Sequence, residues 1–434
     1  MKYKLTSFLT LLFIAGTGLL TSQCTKSPEI TEGNVARIIQ ALSSDEMKGR
    51  AAFSSEAALA ANFISSEFAK IGLAPLAPLE TFHQSFIVYT ISPQQADVSI
   101  NGKEIVEDDY FTRVFAKHIK WEKHDIDIHR ISGDDNFRES IRNYLRDDIP
   151  SVVMVDKAHK EWFHRYRSYF SRPTRTLELD NSQSDVFILS EDEVSTLTVN
   201  VESSVQPIEL FNVVGKIEGH LSDEIVIFSA HYDHIGVKTT SEGDSIANGA
   251  NDNASGVAAV IELARHFSER PTPERTLLFV GFTAEEAGGY GSKYFSEQLN
   301  PDHIVAMFNI EMIGKPAVNG PNSAWITGYE RSTFGEILQQ SVEDSSFIFY
   351  PDPYPNQNLF YRSDNATLAR LGVPAHSIST TPIDVDEDYH RVTDEFKTIN
   401  ITHATSTIAA IAKAAEEITS GRKTPTRIDP ETVD

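Results

Sequence analysis

Apolar residues recur at three- and four-residue intervals at Val35, Ile38, Ile39 and Leu42, and again from Ala57 to Ile71. That period predicts two amphipathic helices near the start of the chain. From about Ser92 to Val205 the pattern changes to short β-type runs such as Val98-Ser99-Ile100 and Val152-Val153-Met154-Val155, separated by charged and aromatic segments. From Glu209 onward, strand-length apolar runs alternate with helical stretches. The predicted strands are Ile225 to Phe228, Leu277 to Phe282, Ile304 to Ile310, Ala324 to Ile326 and Ala375 to Ile378. The predicted helices are Ala254 to Phe267, Thr333 to Ser341, Ala366 to Leu371 and Thr402 to Ile418. This alternation predicts an α/β fold: a mostly parallel mixed sheet with helices on both faces, interrupted by a β-rich insert. Such sheets gather their sites at the carboxyl ends of strands.

Composition narrows the classes. A chain of 434 residues with 40% hydrophobic content can bury a large core. Its formal charge of -24 argues against nucleic acid, whose phosphates it would repel. Lys2 and Lys4 precede an apolar run, Phe8 to Leu20, that is too short to span a bilayer, so residues 1–23 read as a secretory signal. Cys24, the sole cysteine, lies where a bacterial lipoprotein signal places the residue that becomes lipidated. The expected location is therefore outside the cytoplasm, anchored to the bacterial outer membrane through a lipid on Cys24 and facing the periplasm or the exterior. A single cysteine also excludes an internal disulfide.

Five segments place metal-type ligands at the ends of apolar runs: His231-Tyr232-Asp233, Gly249-Ala250-Asn251-Asp252-Asn253, Glu285-Glu286, Asn309-Ile310-Glu311-Met312 and Asp388-Tyr389-His390. Imidazoles and carboxylates without thiolates suit a catalytic site for a borderline divalent metal such as zinc. His231 can ligate while Asp233, two residues on, stays close enough to orient the site. Asp252 also reads as a helix cap, but a carboxylate has two oxygens and can bridge two cations. Adjacent acids at the mouth of a buried strand need a positive neighbour. One of Glu285 and Glu286 can therefore ligate while the other acts as general base. Glu311 is an acid inside a core-type strand, and His390 ends an acidic run from Asp384.

In this order the segments resemble the zinc aminopeptidases, the family that includes bacterial leucyl aminopeptidases and glutamate carboxypeptidase. The likeness covers about Phe211 to Ile418, and Ser43 to Arg50 resembles the family's amino-terminal segment. It implies two zinc ions, one held by His231 and Glu311, the other by Glu286 and His390, with Asp252 bridging. It also implies Glu285 as the base and Asp233 as the acid behind the ligands. The sequence departs from the family at Glu311, where aspartate is usual, and in lacking the usual proline after His390. The expected domains are 24–91, an amino-terminal helical part of the catalytic domain; 92–205, the insert, compared with a degenerate protease-associated domain; and 206–420, the catalytic domain. A disordered tail, 421–434, is expected to follow. The expected activity is removal of amino-terminal residues from peptides, using a water shared by the metals and a glutamate base. The acids Asp364, Asp384, Asp386, Glu387 and Asp388 are expected to attract the substrate's ammonium group. A carboxypeptidase, a glutaminyl cyclase and a non-catalytic surface binding protein are the alternatives.

Overall fold

The computed structural model describes residues 30–146, 149–239 and 243–433. The signal-type segment and Cys24 lie outside the described residues. Two helices open the chain, α1 (Glu32–Leu42) and α2 (Ser55–Ile71), each with a hydroxyl at its N-cap: Thr31 accepts from the Asn34 amide and Ser54 from that of Ala57. Such caps satisfy amides that the first helical turn leaves unpaired.

The eight main strands are β1 (His83–Ile100), β2 (Leu197–Ile217), β3 (Leu221–His231), β4 (Arg275–Phe282), β5 (Ile304–Glu311), β6 (Ser323–Ile326), β7 (Ile348–Pro351) and β8 (Ala375–Ser379). They pair in the order β7-β6-β8-β5-β3-β4-β2-β1. The centre is parallel, with β3 between β4 and β5 and β8 beyond β5. Pairing turns antiparallel where β2 meets β4 and where β6 meets β8. The sheet is therefore mixed and parallel at its middle, as the alternation predicts.

Helices cover both faces. They are α3 (Gly256–Ser268), α4 (Tyr290–Glu297), α5 (Phe334–Ser341), α6 (Asn365–Ala369) and α7 (Ile401–Thr419). Val226 and Phe228 of β3 pack with Ile38, Phe68, Val260 and Ile408 from α1, α2, α3 and α7. Ile227, on the opposite face, packs with Leu278 and Phe282 of β4, Phe295 of α4 and Leu368 of α6. Alternate side chains of one strand thus enter two cores, and a strand buried on both faces reads as an unbroken apolar run. The chain passes from β3 to β4 on one side and then crosses to β5 on the other. This makes the carboxyl end of β3 the switch point where a crevice opens.

The insert is β-rich, as expected, but it also carries two helices and its boundaries differ. β1 and β2 pair along nearly their whole length, from His83 opposite Val213 to Ile100 opposite Leu197, so the expected boundaries at 92 and 205 fall inside strands. A second, four-stranded sheet comprises Tyr110–Arg113, Asp127–Ile131, Ser151–Val155 and Asp185–Leu189. Val152 and Met154 face the far half of the β1–β2 ribbon, while Val153 and Val155 pack beneath two helices, Phe137–Arg146 and Lys160–Phe170. Those helices bury only Phe137 and Ile141, and Phe163, respectively, too few apolar positions to establish a period in the sequence.

The tail is also ordered. Ile428 is 2% exposed and packs with Leu368 and Val373. The buried Arg275 guanidinium donates to the carbonyls of Ile418 and Lys423 and to the Thr424 hydroxyl at 2.6–2.8 Å. Pro430 opens a short 3₁₀ turn, Pro430–Thr432, rather than marking disorder. Ile428→Ala should cost about 2–5 kcal/mol in urea unfolding, the usual range for a buried aliphatic truncated to alanine. Val385→Ala, at a side chain 73% exposed, should stay within about 0.5 kcal/mol.

Candidate active site

The five segments converge at the carboxyl ends of the central strands. His231 is the last residue of β3, Glu285 and Glu286 follow β4, and Glu311 ends β5. Asp252 sits in the turn leading to α3, and His390 lies in the loop between β8 and α7.

The Asp252 loop shows why its sequence is Gly-Ala-Asn-Asp-Asn. Asn251 accepts from the Gly314 amide and donates to the Thr381 hydroxyl, both at 2.8 Å. Asn253 donates to the Ile310 carbonyl and the Glu311 carboxylate and accepts from the Met312 amide. The amides of Asn251 and Asp252 both bind the Asp394 carboxylate at 2.9 Å. Gly249 has φ +58, and a Cβ there would lie 2.2 Å from the Asp252 carbonyl. Beneath the loop lies Arg50, which has no exposed surface and donates to the carbonyls of Leu42, Tyr232, Asn248 and Gly249. One guanidinium thereby ties the amino-terminal segment to both the His231 turn and the Asp252 loop. Burial lowers the Arg50 pKa to about 10, with Asp252, Asp394 and Asp233 opposing, so it stays charged at neutral pH.

Two groups of ligand atoms share the Asp252 carboxylate. His231 Nε2 is 3.3 Å from Asp252 Oδ1 and 3.3 Å from Glu311 Oε2. His390 Nε2 is 3.2 Å from Asp252 Oδ2 and 3.1 Å from Glu286 Oε1. Zinc bonds of ~2.0–2.2 Å to N and O put tetrahedral neighbours roughly 3.3–3.5 Å apart, so both groups have the spacing of ligands around one cation each. Asp233 behaves differently from a simple partner of His231. Its carbonyl accepts from His231 Nδ1 at 3.1 Å, while its carboxylate lies 3.8 Å from that nitrogen and instead accepts the amides of Glu285 and Glu286 at 3.2 and 3.3 Å. It therefore orients the imidazole through the backbone and the two glutamates through its side chain.

The sequence reading did not single out His234. It is fully buried, with Nδ1 2.9 Å from Glu286 Oε1 and 3.8 Å from Asp252 Oδ2, which makes it a second nitrogen donor beside His390. It follows directly on His231-Tyr232-Asp233, so the adjacency was visible, but a strict two-residue alternation skips it. Ser363 was also missed. Its hydroxyl and the Asn253 amide bind opposite oxygens of Glu311 and hold the longer side chain in place. The acid run does not line the cavity as expected: Lys315 binds Asp386 and Asp388, and Asp384 accepts from Gln357.

Electrostatics reflect crowded acid. Burial would raise Asp252, but His234, His231 and His390 hold it well below the carboxylate range. Burial pushes Glu285 well above that range, with Asp364, Glu311 and Glu286 adding to the rise. His390 is raised to about 9: burial opposes protonation, but the Asp252 and Glu286 carboxylates outweigh it. The acids thus draw positive charge onto the imidazoles, and divalent cations would supply that charge without the protons.

Residues 212–415 match the model of Peptidase family M28. A probable zinc metalloprotease of Pyrenophora tritici-repentis is 33% identical over 130 residues, covering 27% of this chain and 26% of that protein. Leucine aminopeptidase 2 of Trichophyton rubrum is 26% identical over 282 residues, covering 59% of this chain and 54% of its own. The chain therefore matches about a quarter of the first relative's length and about half of the second's. An aminopeptidase from Aneurinibacillus sp. strain AM-1 shares the fold with a TM-score of 0.54 at 18% identity, covering 94% of this chain and 96% of that one.

Asp364 is buried, and its pKa is raised from 3.8 to about 7 by burial, with Glu311 and Asp233 adding to the rise and His231 and the Ser292 hydroxyl opposing. A raised acid favours folding below its unfolded pKa, and that contribution is lost as pH climbs through the folded value. In chelator, stability should therefore fall between about pH 4 and pH 7, and Asp364→Asn should remove a few kcal/mol of that fall. Urea unfolding at pH 5 and pH 8 checks this, and an unchanged slope would refute it.

Proposed function

We propose that this chain is a zinc-dependent exopeptidase that removes amino-terminal residues from peptides. The observation carrying the reading is that the two oxygens of one carboxylate, Asp252, each meet a separate group of metal-type ligands beside an uncommitted glutamate, Glu285. In this reading His231, Asp252 and Glu311 hold one zinc, and Asp252, Glu286 and His390 hold the second, with His234 next to it. Zinc bound there would supply Lewis acidity to the scissile carbonyl and the attacking water.

The chain's own residues do the rest. Glu285 takes a proton from the attacking water and returns it to the leaving amine, a task suited to a carboxyl whose pKa burial has raised. Asp233 fixes the backbone of both glutamates, so the base cannot swing away from the ligand beside it. The cavity is walled by Met312, Trp325, Leu359 and Ile383, which shield the reaction from bulk water. The lining acids are all taken up, Asp252, Glu286 and Glu311 as ligands and Glu285 as base, so the aminopeptidase reading rests on the likeness to the leucine aminopeptidase named above.

Hydrolysis of aminoacyl-anilides by the exported form should be abolished by chelator and restored by zinc. Glu285→Gln should keep its zinc while kcat falls by about 10²–10⁴. A Glu285→Gln enzyme that retained zinc and turned over at the wild-type rate would remove the glutamate from this role.

A further inference from the structure

Among the described residues that line the cavity, Arg362 is the only lysine or arginine, and it stands there with His231, Asp252, Glu285, Glu286, Glu311 and His390. In a chain with 62 acidic and 38 basic residues, a guanidinium lining a cavity that also holds four carboxylates would ordinarily be paired. Its hydrogen-bond partners among the described residues are neutral and distant: Gln357 Oε1 at 3.5 Å and the Tyr389 hydroxyl at 3.3 Å. Most of its donors are left to solvent or to a ligand.

The segment around it is anchored at each step. Tyr361 accepts from Arg331, Ser363 binds Glu311, Asp364 is buried, and Asn365 donates to the Phe360 carbonyl. The Tyr389 ring that touches Arg362 also stacks on His390, with centroids 4.0 Å apart. The neighbours of Arg362 are therefore anchored, its exposed side chain reaches the Tyr389 hydroxyl one aromatic ring away from a metal-type ligand, and its planar fork matches a carboxylate.

Building on the exopeptidase reading above, we propose that Arg362 binds a substrate carboxylate and thereby makes the enzyme select peptides carrying one close to the scissile bond. The carboxylate is either the free α-carboxylate of a dipeptide or the side chain of an acidic amino-terminal residue. Arg362 is a specificity-determining residue in this account, and the base and ligands act as before.

The test measures kcat and KM of the zinc-loaded protein on Leu-Gly and its carboxy-terminal amide, on Glu- and Gln-anilide, and on Leu-anilide as reference. The expected result is a preference of about tenfold or more, mainly in KM, for the charged member of one pair, which identifies the source of the carboxylate. Arg362→Gln should bring that ratio close to one, and Arg362→Lys should retain part of it. Ratios within about twofold in the wild type while Leu-anilide is cut, or a ratio that survives Arg362→Gln, overturn the inference. If no anilide or dipeptide is cut, the exopeptidase reading fails instead. Calorimetry with a non-hydrolysable dipeptide isostere, as acid and as amide, then decides Arg362 independently: tighter binding of the acid, lost in Arg362→Gln, supports the role, and equal binding refutes it.

Discussion

Crowded carboxylates at the ends of the central strands are the constraint around which this structure is organised. Asp233, Asp252, Glu285, Glu286, Glu311 and Asp364 interact within one buried region, and burying several like charges together is costly unless positive charge offsets them. Every imidazole on the site faces one of these acids. The cluster's nitrogen and oxygen atoms lie 3.1–3.3 Å apart in two groups joined by one carboxylate, a spacing that protonated imidazoles or, in the reading proposed above, a pair of cations would satisfy.

Holding those groups in place occupies much of the polar chemistry around them. Arg50 fastens three separate segments with one guanidinium, and its charge partly offsets Asp252, Asp394 and Asp233 from below. Asn251, Asn253 and Asp394 leave little backbone freedom in the bridging loop. The ligands therefore rest on a preformed scaffold, which favours transition-state electrostatics over reorganisation. Glu311 illustrates the same economy: its longer side chain is held from both oxygens, by Ser363 and by Asn253.

The parallel centre of the sheet was legible because β3, β4 and β5 are buried on both faces and read as continuous apolar runs. Each ligand segment was legible because a polar residue directly after such a run marks the mouth of a strand. The insert's helices were not legible, since Phe163 alone is buried in one of them. The tail was misread because proline suggests disorder, whereas the burial of Ile428 depends on a groove made by residues far away in sequence. His234, Ser363 and the pairing of Lys315 with Asp386 and Asp388 depend on loops meeting in space, which periodicity does not encode.

The central claim is that two divalent cations hold this acid cluster together. Equilibrium zinc titration of the metal-free protein, with bound zinc counted by elemental analysis and unfolding followed in parallel, tests it most directly. The account predicts two zinc ions per chain and a thermal midpoint that rises as they bind, because a ligand specific to the folded state stabilises it. Saturation without bound zinc, or at one ion with the Asp252, Glu286 and His390 group left empty, would contradict it.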